Sequence, residues 1–196
     1  GLARDLAVMA DLGLTARLAA TAVTAQDAAG GCILHPVPGA TVAAQIHAAG
    51  PVRAAKLGML ANAEVVAAVA RSLPMVPVVL DPVLATSAGV PLIDAAGQAA
   101  MIARLFPRAT LITPNLPEAE ALSGRRIASA ADMRAAGEAL LALGPKAVLM
   151  KGGHLPGPRV QDVLILPGEA RVFESARVET RHTHGTGCTL ASAIAA

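Results

Sequence analysis

The chain contains no tryptophan, no tyrosine and only two phenylalanines among its 196 residues. A core without aromatic bulk is filled by Leu, Val, Ile and many Ala, and small side chains let helices pack closely on a sheet. Charge is also scarce: 15% of residues are charged and the net charge is +2. With no basic run and no interleaved aromatics, that surplus argues against a nucleic-acid partner. No uninterrupted apolar run is long enough to cross a bilayer, and no signal-peptide pattern precedes the first helical segment, so no membrane partner is expected. The two cysteines, Cys32 and Cys188, lie far apart and form no CxxC pair. This excludes a disulfide framework and points to a reduced, cytoplasmic protein. Only His182 and His184 stand at metal-ligand spacing, and no Cys or acidic cluster joins them, which argues against zinc. Walker A, GxSxG and GxGxxG signatures are absent too. Any phosphate machinery is therefore of another kind.

What is present is apolar and periodic: 54% of the residues are hydrophobic. One compact α/β domain of this length buries roughly 70% of its unfolded surface. Residues 2–12 put Leu2, Leu6, Met9 and Leu12 on one helical face, and Gly13 supplies a stop. An extended run follows over 18–26, then a short helix over 40–49 and a buried strand over 54–58. Asn62 caps a helix over 62–73 with Val65, Val66, Val69 and Leu73 on one side. Residues 76–82 form a strand ending at Asp81-Pro82. A helix over about 94–106 leads to a strand over 109–115, stopped at Pro114. A helix starts at Leu116 with Pro117 in its first turn, and Ser129 caps another to about Leu143. Residues 146–154 read as strand and turn, and 160–166 with 169–175 as an antiparallel pair. Strands alternating with helices predict a mainly parallel, doubly wound sheet with no second domain. The sequence opens and closes inside helical patterns, so both ends look cut.

The unusual polar residues fall at strand ends. Asp81, Asn115 and Lys151 close three consecutive predicted strands, and Met59 follows Gly58 at the end of a fourth. Ligands of open α/β sheets bind at the carboxyl ends of the strands, so these positions mark a site. A lysine closing a buried strand needs a partner, and a phosphate is a suitable one. Asn115 and Glu118 sit three apart where a strand meets a helix. There they can order waters around Mg²⁺, which prefers few protein ligands plus phosphate oxygens; the same spacing also suits a helix cap. In "HTHGTGCT", the amides of Gly185, Thr186, Gly187 and Cys188 open a helix and can converge on an anion. A plain glycine-rich turn has the same composition. The thiol weighs for function, since a helix's first turn stabilises a thiolate, whereas Cys32 reads as a core residue in mid-strand.

Together "TAVTAQ", "KLGMLAN", "VVLDPV", "LITPNLPEAEALSG", "ALLALGPKAVLMKGGHLPG" and "THGTGCTLASAIAA" resemble, in order and over essentially the whole chain, the hydroxymethylpyrimidine/phosphomethylpyrimidine kinases of thiamine biosynthesis. The resemblance implies a ribokinase-like three-layer sandwich spanning residues 1–196. It also implies ATP-dependent phosphorylation of 4-amino-5-hydroxymethyl-2-methylpyrimidine and then of its monophosphate, with Mg²⁺ and as a homodimer. On the motif positions, Gln26 and Asp5 would meet the aminopyrimidine, with Met59 and Val83 packed on its ring. Lys151, Asn115, Glu118 and Thr186 would serve the nucleotide, with Asn115 and Glu118 reaching Mg²⁺ through water. Gly185, Thr186 and Gly187 would form the anion hole, and Cys188 would act as base. The chain departs from the family's pattern at Ala7, which stands for a lysine, and at His182, which stands for an asparagine. The usual N-terminal strand and loop and the last C-terminal helices are missing from it. A pyridoxal kinase of the same fold and a catalytically silent ligand-binding protein remain alternative readings.

Overall fold

The computed structural model describes residues 1–27, 31–179 and 185–196. Its main sheet has six strands in the order β3 (Ala55–Leu57), β4 (Val78–Leu80), β5 (Leu111–Ile112), β6 (Val148–Met150), β7 (Arg159–Leu166) and β8 (Glu169–Ala176). Strands β3 to β6 are parallel, and β7 and β8 are added antiparallel at one edge. Every residue of β4 and β6 is buried. Side chains alternate between the faces of a strand, so total burial means that helices cover both sides. The expected three-layer, mainly parallel architecture is what forms.

The helices are α1 (Leu2–Asp11), α2 (Gly39–Ala49), α3 (Ala63–Ser72), α4 (Ala95–Arg104), α5 (Leu116–Ser123), α6 (Ala130–Leu141) and α7 (Thr186–Ala195). Their starts follow the capping signals. Asn62 accepts from the Val65 amide, Asp94 from the Gly97 amide, and Ser129 from the Asp132 amide. The continuous core joins Val65, Val66 and Val69 of α3 to Met101, Phe106, Ile112, Met133 and Met150. Helix α7 packs over β3 and β4, and α1 packs on α7.

Several expectations need correction. The run over 18–26 yields a strand only at β1 (Ala22–Gln26), paired antiparallel with β2 (Cys32–Pro36), which the sequence pattern had not revealed. Cys32 is half-buried at the first position of β2, not a core residue in mid-strand. Its strand belongs to a two-stranded ribbon outside the main sheet, which offers no second layer to bury it. The helix expected over 94–106 ends at Arg104 and passes into a 3₁₀ turn, Phe106–Arg108, because Pro107 cannot continue it. The apolar stripe of α1 is not buried: Leu2, Leu6 and Leu12 are 39%, 40% and 52% exposed, since α7 rather than the sheet is its chief neighbour.

Gly152, the second residue past β6, shows how tightly the lysine-bearing strand end is held. A Cβ built there would lie 1.9 Å from the Gln161 carbonyl oxygen, whereas one on Gly153 would meet nothing within 4 Å. We expect Gly152→Ala to lower the melting temperature by at least about 6 °C, taking about 3 kcal/mol for overpacking against backbone and roughly 2–4 °C per kcal/mol. Gly153→Ala should leave it unchanged. Equal melting temperatures for the two variants in a thermal scan would refute this packing.

Candidate active site

Strands β4, β5 and β6 run parallel, so their carboxyl ends deliver side chains to one edge. Asp81, directly after β4, is 2% exposed. Its Oδ1 accepts from Lys151 Nζ at 2.9 Å and from Thr113 Oγ1 at 3.1 Å. Lys151 is fixed by backbone pairing, since its amide donates to the Pro114 carbonyl at 2.9 Å. A buried ion pair is weak evidence of stability, because desolvating both charges offsets their attraction. Breaking it by removing one partner costs about 3–5 kcal/mol. The charge is held for what comes next to it.

That neighbour is the start of α7. Gly185 caps the helix in the left-handed region at φ +82°, and Thr186, Gly187 and Cys188 form its first turn. The Thr189 amide bonds back to the Gly185 carbonyl at 2.9 Å. The positive end of the helix dipole lies at this first turn. A Cβ on Gly187 would stand 3.0 Å from Lys151 Nζ and 3.6 Å from Asp81 Oδ2. Glycine here lets the helix start and the buried cation share one place. Cys188 is half-buried with its thiol free, and Sγ lies 3.9 Å from the Gly1 nitrogen. His182 and His184 lie outside the described residues.

Asn115 and Glu118 form a reciprocal capping box at α5. The Glu118 amide donates to Asn115 Oδ1 at 2.9 Å, and the Asn115 amide donates to Glu118 Oε2 at 2.8 Å. The capping alternative is therefore correct as far as these bonds go. It leaves Glu118 Oε1 and Asp81 Oδ2 without protein hydrogen bonds among the described residues. Burial raises the Glu118 carboxyl to about 7; nearby Lys151 and the Asn115 amide pull the other way, and Asp81 adds to the rise.

All these groups border a single cleft of about 1760 Å³. Gln26, Met59, Val83 and Asp5 line it as well, so the residues expected to bind substrate and nucleotide border the same space. Gln26 is exposed at the end of β1, its Nε2 3.7 Å from Cys32 Sγ. The Met59 carbonyl accepts from Thr21 Oγ1 at 2.6 Å, tying the segment after β3 to the ribbon's approach. Asp5 Oδ1 accepts from Lys56 Nζ at 3.0 Å and from Ser192 Oγ at 2.8 Å. The cleft thus has a charged corner where Lys151 meets the start of α7, and a mixed polar and apolar region at Gln26, Asp5 and Met59.

The model of the phosphomethylpyrimidine kinase family matches residues 1–196. The chain belongs to that family. A hydroxymethylpyrimidine/phosphomethylpyrimidine kinase of Mycobacterium bovis is 45% identical over 204 residues, covering 100% of this chain and 74% of the relative. The crystal structure of a phosphomethylpyrimidine kinase from Clostridium difficile superposes with a TM-score of 0.80 at 35% identity, covering 97% of this chain and 80% of that one. The ADP complex of Bacillus subtilis pyridoxal kinase superposes with a TM-score of 0.88 at 31% identity, covering 98% and 75%. The chain spans 41% of a bifunctional thiamine-biosynthesis relative from Geobacter sulfurreducens, to which it is 42% identical.

For this kinase, the donor set fits magnesium. No three Cys, His, Asp or Glu side chains gather to hold a metal among the described residues. Mg²⁺ needs no such cage, since it keeps waters and takes phosphate oxygens beside one or two carboxylates. Glu118 Oε1 and Asp81 Oδ2 are available for that. No helix among the described residues is long and apolar enough to cross a membrane. Sequence reasoning missed two members of the site. Lys56 and Ser192 hold Asp5, and a lysine inside a strand read as buried was a signal of the same kind that singled out Lys151.

The raised Glu118 carboxyl has a consequence for stability. Its ordinary value is 4.5 and its folded value about 7, so the folded protein binds this proton more tightly than the unfolded chain does. Glu118 therefore contributes stability that is complete below about pH 4.5 and is lost as pH rises through about 7. Glu118→Gln stays neutral at every pH. In EDTA, its melting temperature should gain on the wild type's as pH rises across that window. A difference independent of pH would show that Glu118 does not titrate there.

Proposed function

We propose that the chain transfers the γ-phosphoryl group of ATP to the hydroxymethyl oxygen of 4-amino-5-hydroxymethyl-2-methylpyrimidine, and a second group to the resulting monophosphate. Beyond family membership, one observation carries this reading. A thiol stands in the first turn of α7, directly after the glycine whose missing side chain admits Lys151 to the same spot.

Phosphoryl transfer asks for positioning and charge neutralisation more than covalent chemistry. Lys151, held by Asp81, meets the ATP phosphates, and Thr186 lies on the same nucleotide side. The amides from Gly185 to Gly187 receive the charge that spreads over the transferred group, and they cost no reorganisation because the helix has already aligned them. Cys188 accepts the proton of the substrate hydroxyl, and the oxygen then attacks phosphorus as ADP leaves. Gln26 supplies both a donor and an acceptor, which the edge of an aminopyrimidine requires. Asp5 faces the same ring, with Met59 and Val83 against its plane. Asn115 and Glu118 organise the region where Mg²⁺, when bound with ATP, neutralises phosphate charge. Nucleic acid and membrane have no part in this scheme, and the protein works in the cytoplasm.

A homodimer fits the ribbon. Val23 and Ile33 point outward from β1 and β2, 63% and 73% exposed. A paired copy would cover them. Sedimentation should give twice the chain mass, and Val23→Lys with Ile33→Lys should halve it; a monomeric wild type would end this part of the reading.

The decisive assay incubates full-length protein with Mg·ATP and the pyrimidine, resolves mono- and diphosphate products, and runs pyridoxal in parallel. Cys188→Ala should lose about 10²–10⁴-fold in kcat, the range for a general base, while still binding pyrimidine. Gln26→Leu should raise the pyrimidine KM by the equivalent of about 1–3 kcal/mol of buried hydrogen bonding, with the ATP KM unchanged. Faster turnover of pyridoxal than of the pyrimidine would reassign the acceptor. Near wild-type turnover in Cys188→Ala would make the cysteine a packing residue.

A further inference from the structure

Lys56 lies in the middle of β3, its side chain 8% exposed, and borders the cleft. A lysine is almost never this buried without a partner. Its partner is Asp5 Oδ1, at 3.0 Å. The same oxygen accepts from Ser192 Oγ at 2.8 Å, and Ser192 is fully buried. Three elements distant in sequence, α1, β3 and α7, therefore meet at one carboxylate oxygen. Asp5 Oδ2 makes no hydrogen bond to the protein among the described residues, and Asp5 lines the cleft.

Space for this meeting is made by Gly58, where a Cβ would stand 3.0 Å from Lys56 Nζ. Helix spacing extends the contact toward the thiol. Ser192 follows Cys188 by four residues on α7, so the two share a face of that helix. The hydrogen bond from Ser192 to Asp5 thus joins α7 to α1 one turn along from the thiol.

We propose that Lys56 is a positioning residue of the acceptor side: it holds Asp5 so that Oδ2 faces the acceptor and, through Ser192, sets α7 so that Cys188 points at the hydroxyl to be phosphorylated. This rests on the acceptor-site reading given above and adds a residue to it. A purely structural role is the competing account. Buried ion pairs can often be replaced by apolar residues without loss of stability, so an architectural pair would be dispensable to function when both partners are changed together.

A double-mutant cycle on the full-length enzyme separates the two accounts. The cycle uses Lys56→Met, Asp5→Asn and both together, with KM for the pyrimidine, KM for ATP, kcat and melting temperature measured for each. We expect Lys56→Met to raise the pyrimidine KM at least about tenfold, within the roughly 100-fold that a 1 Å misplacement costs, with ATP KM within about twofold. Asp5→Asn should do the same, and the double variant should be no worse than either, because Lys56 acts through Asp5. Should Lys56→Met fail to fold, Lys56→Gln takes its place in the cycle. An unchanged pyrimidine KM, a matching rise in ATP KM, or additive effects in the double variant would overturn the assignment. The wild-type control keeps the two readings apart. If the wild type phosphorylates pyridoxal in place of the pyrimidine, the proposed acceptor fails, and the same cycle read with pyridoxal still decides Lys56.

Discussion

The site turns on a lysine and an aspartate brought together beneath a glycine. Lys151 and Asp81 close neighbouring parts of a parallel sheet, and their pair survives burial because Thr113 shares the carboxylate and the start of α7 stands beside it. Neither charge would be tolerated there alone. With both in place, the edge of the sheet presents a cation whose position is set by backbone pairing rather than by a flexible stem. Helix α7 then adds amides to that cation, and the absent Cβ of Gly187 allows the two to coincide. An anion arriving here finds its counter-charges already arranged, which is the condition under which electrostatic stabilisation is most effective.

Around this pair the cleft divides into two chemistries. The corner at Lys151, Glu118 and α7 is charged and lies on the rigid main sheet. The region at Gln26, Met59 and Asp5 is a mixture of amide, thioether and carboxylate, and it is borrowed from the ribbon, from β3 and from α1. Glu118 stands at the boundary with a carboxyl poised near neutrality, because burial outweighs the attraction of Lys151.

Much of this was legible in the residue order, and the reasons differ by element. Strands β4 and β6 are buried on both faces, so they appear as unbroken apolar runs that only a parallel sheet accommodates. Asn62 and Ser129 announced their helices because a cap acts within four residues, a range that sequence spacing expresses directly. Lys151 stood out since a charge closing an apolar run has no ordinary explanation. Lys56 obeys the same logic but sits inside a three-residue strand, where its partner is 51 positions away and invisible to local pattern. Strand β2 escaped for a related reason: in the ribbon it alternates exposed and half-buried positions without a core to sharpen the contrast. The stripe on α1 misled in the opposite direction, because periodicity reports which residues share a face but not whether anything covers it.

The ribbon of β1 and β2 shares no strand pairing with the main sheet. It is tied on by short contacts, such as Thr21 Oγ1 to the Met59 carbonyl and the Ala20 amide to Gln45 Oε1. A lone two-stranded ribbon adds little to global stability. Residues such as Gln26 can therefore be exchanged with small effect on folding, whereas loss of Lys151 would leave Asp81 buried and unpaired. On the assignment proposed above, the ribbon reads the acceptor and the main sheet holds ATP. Relatives named for a pyrimidine or for pyridoxal then differ by editing a peripheral hairpin while the sheet stays as it is.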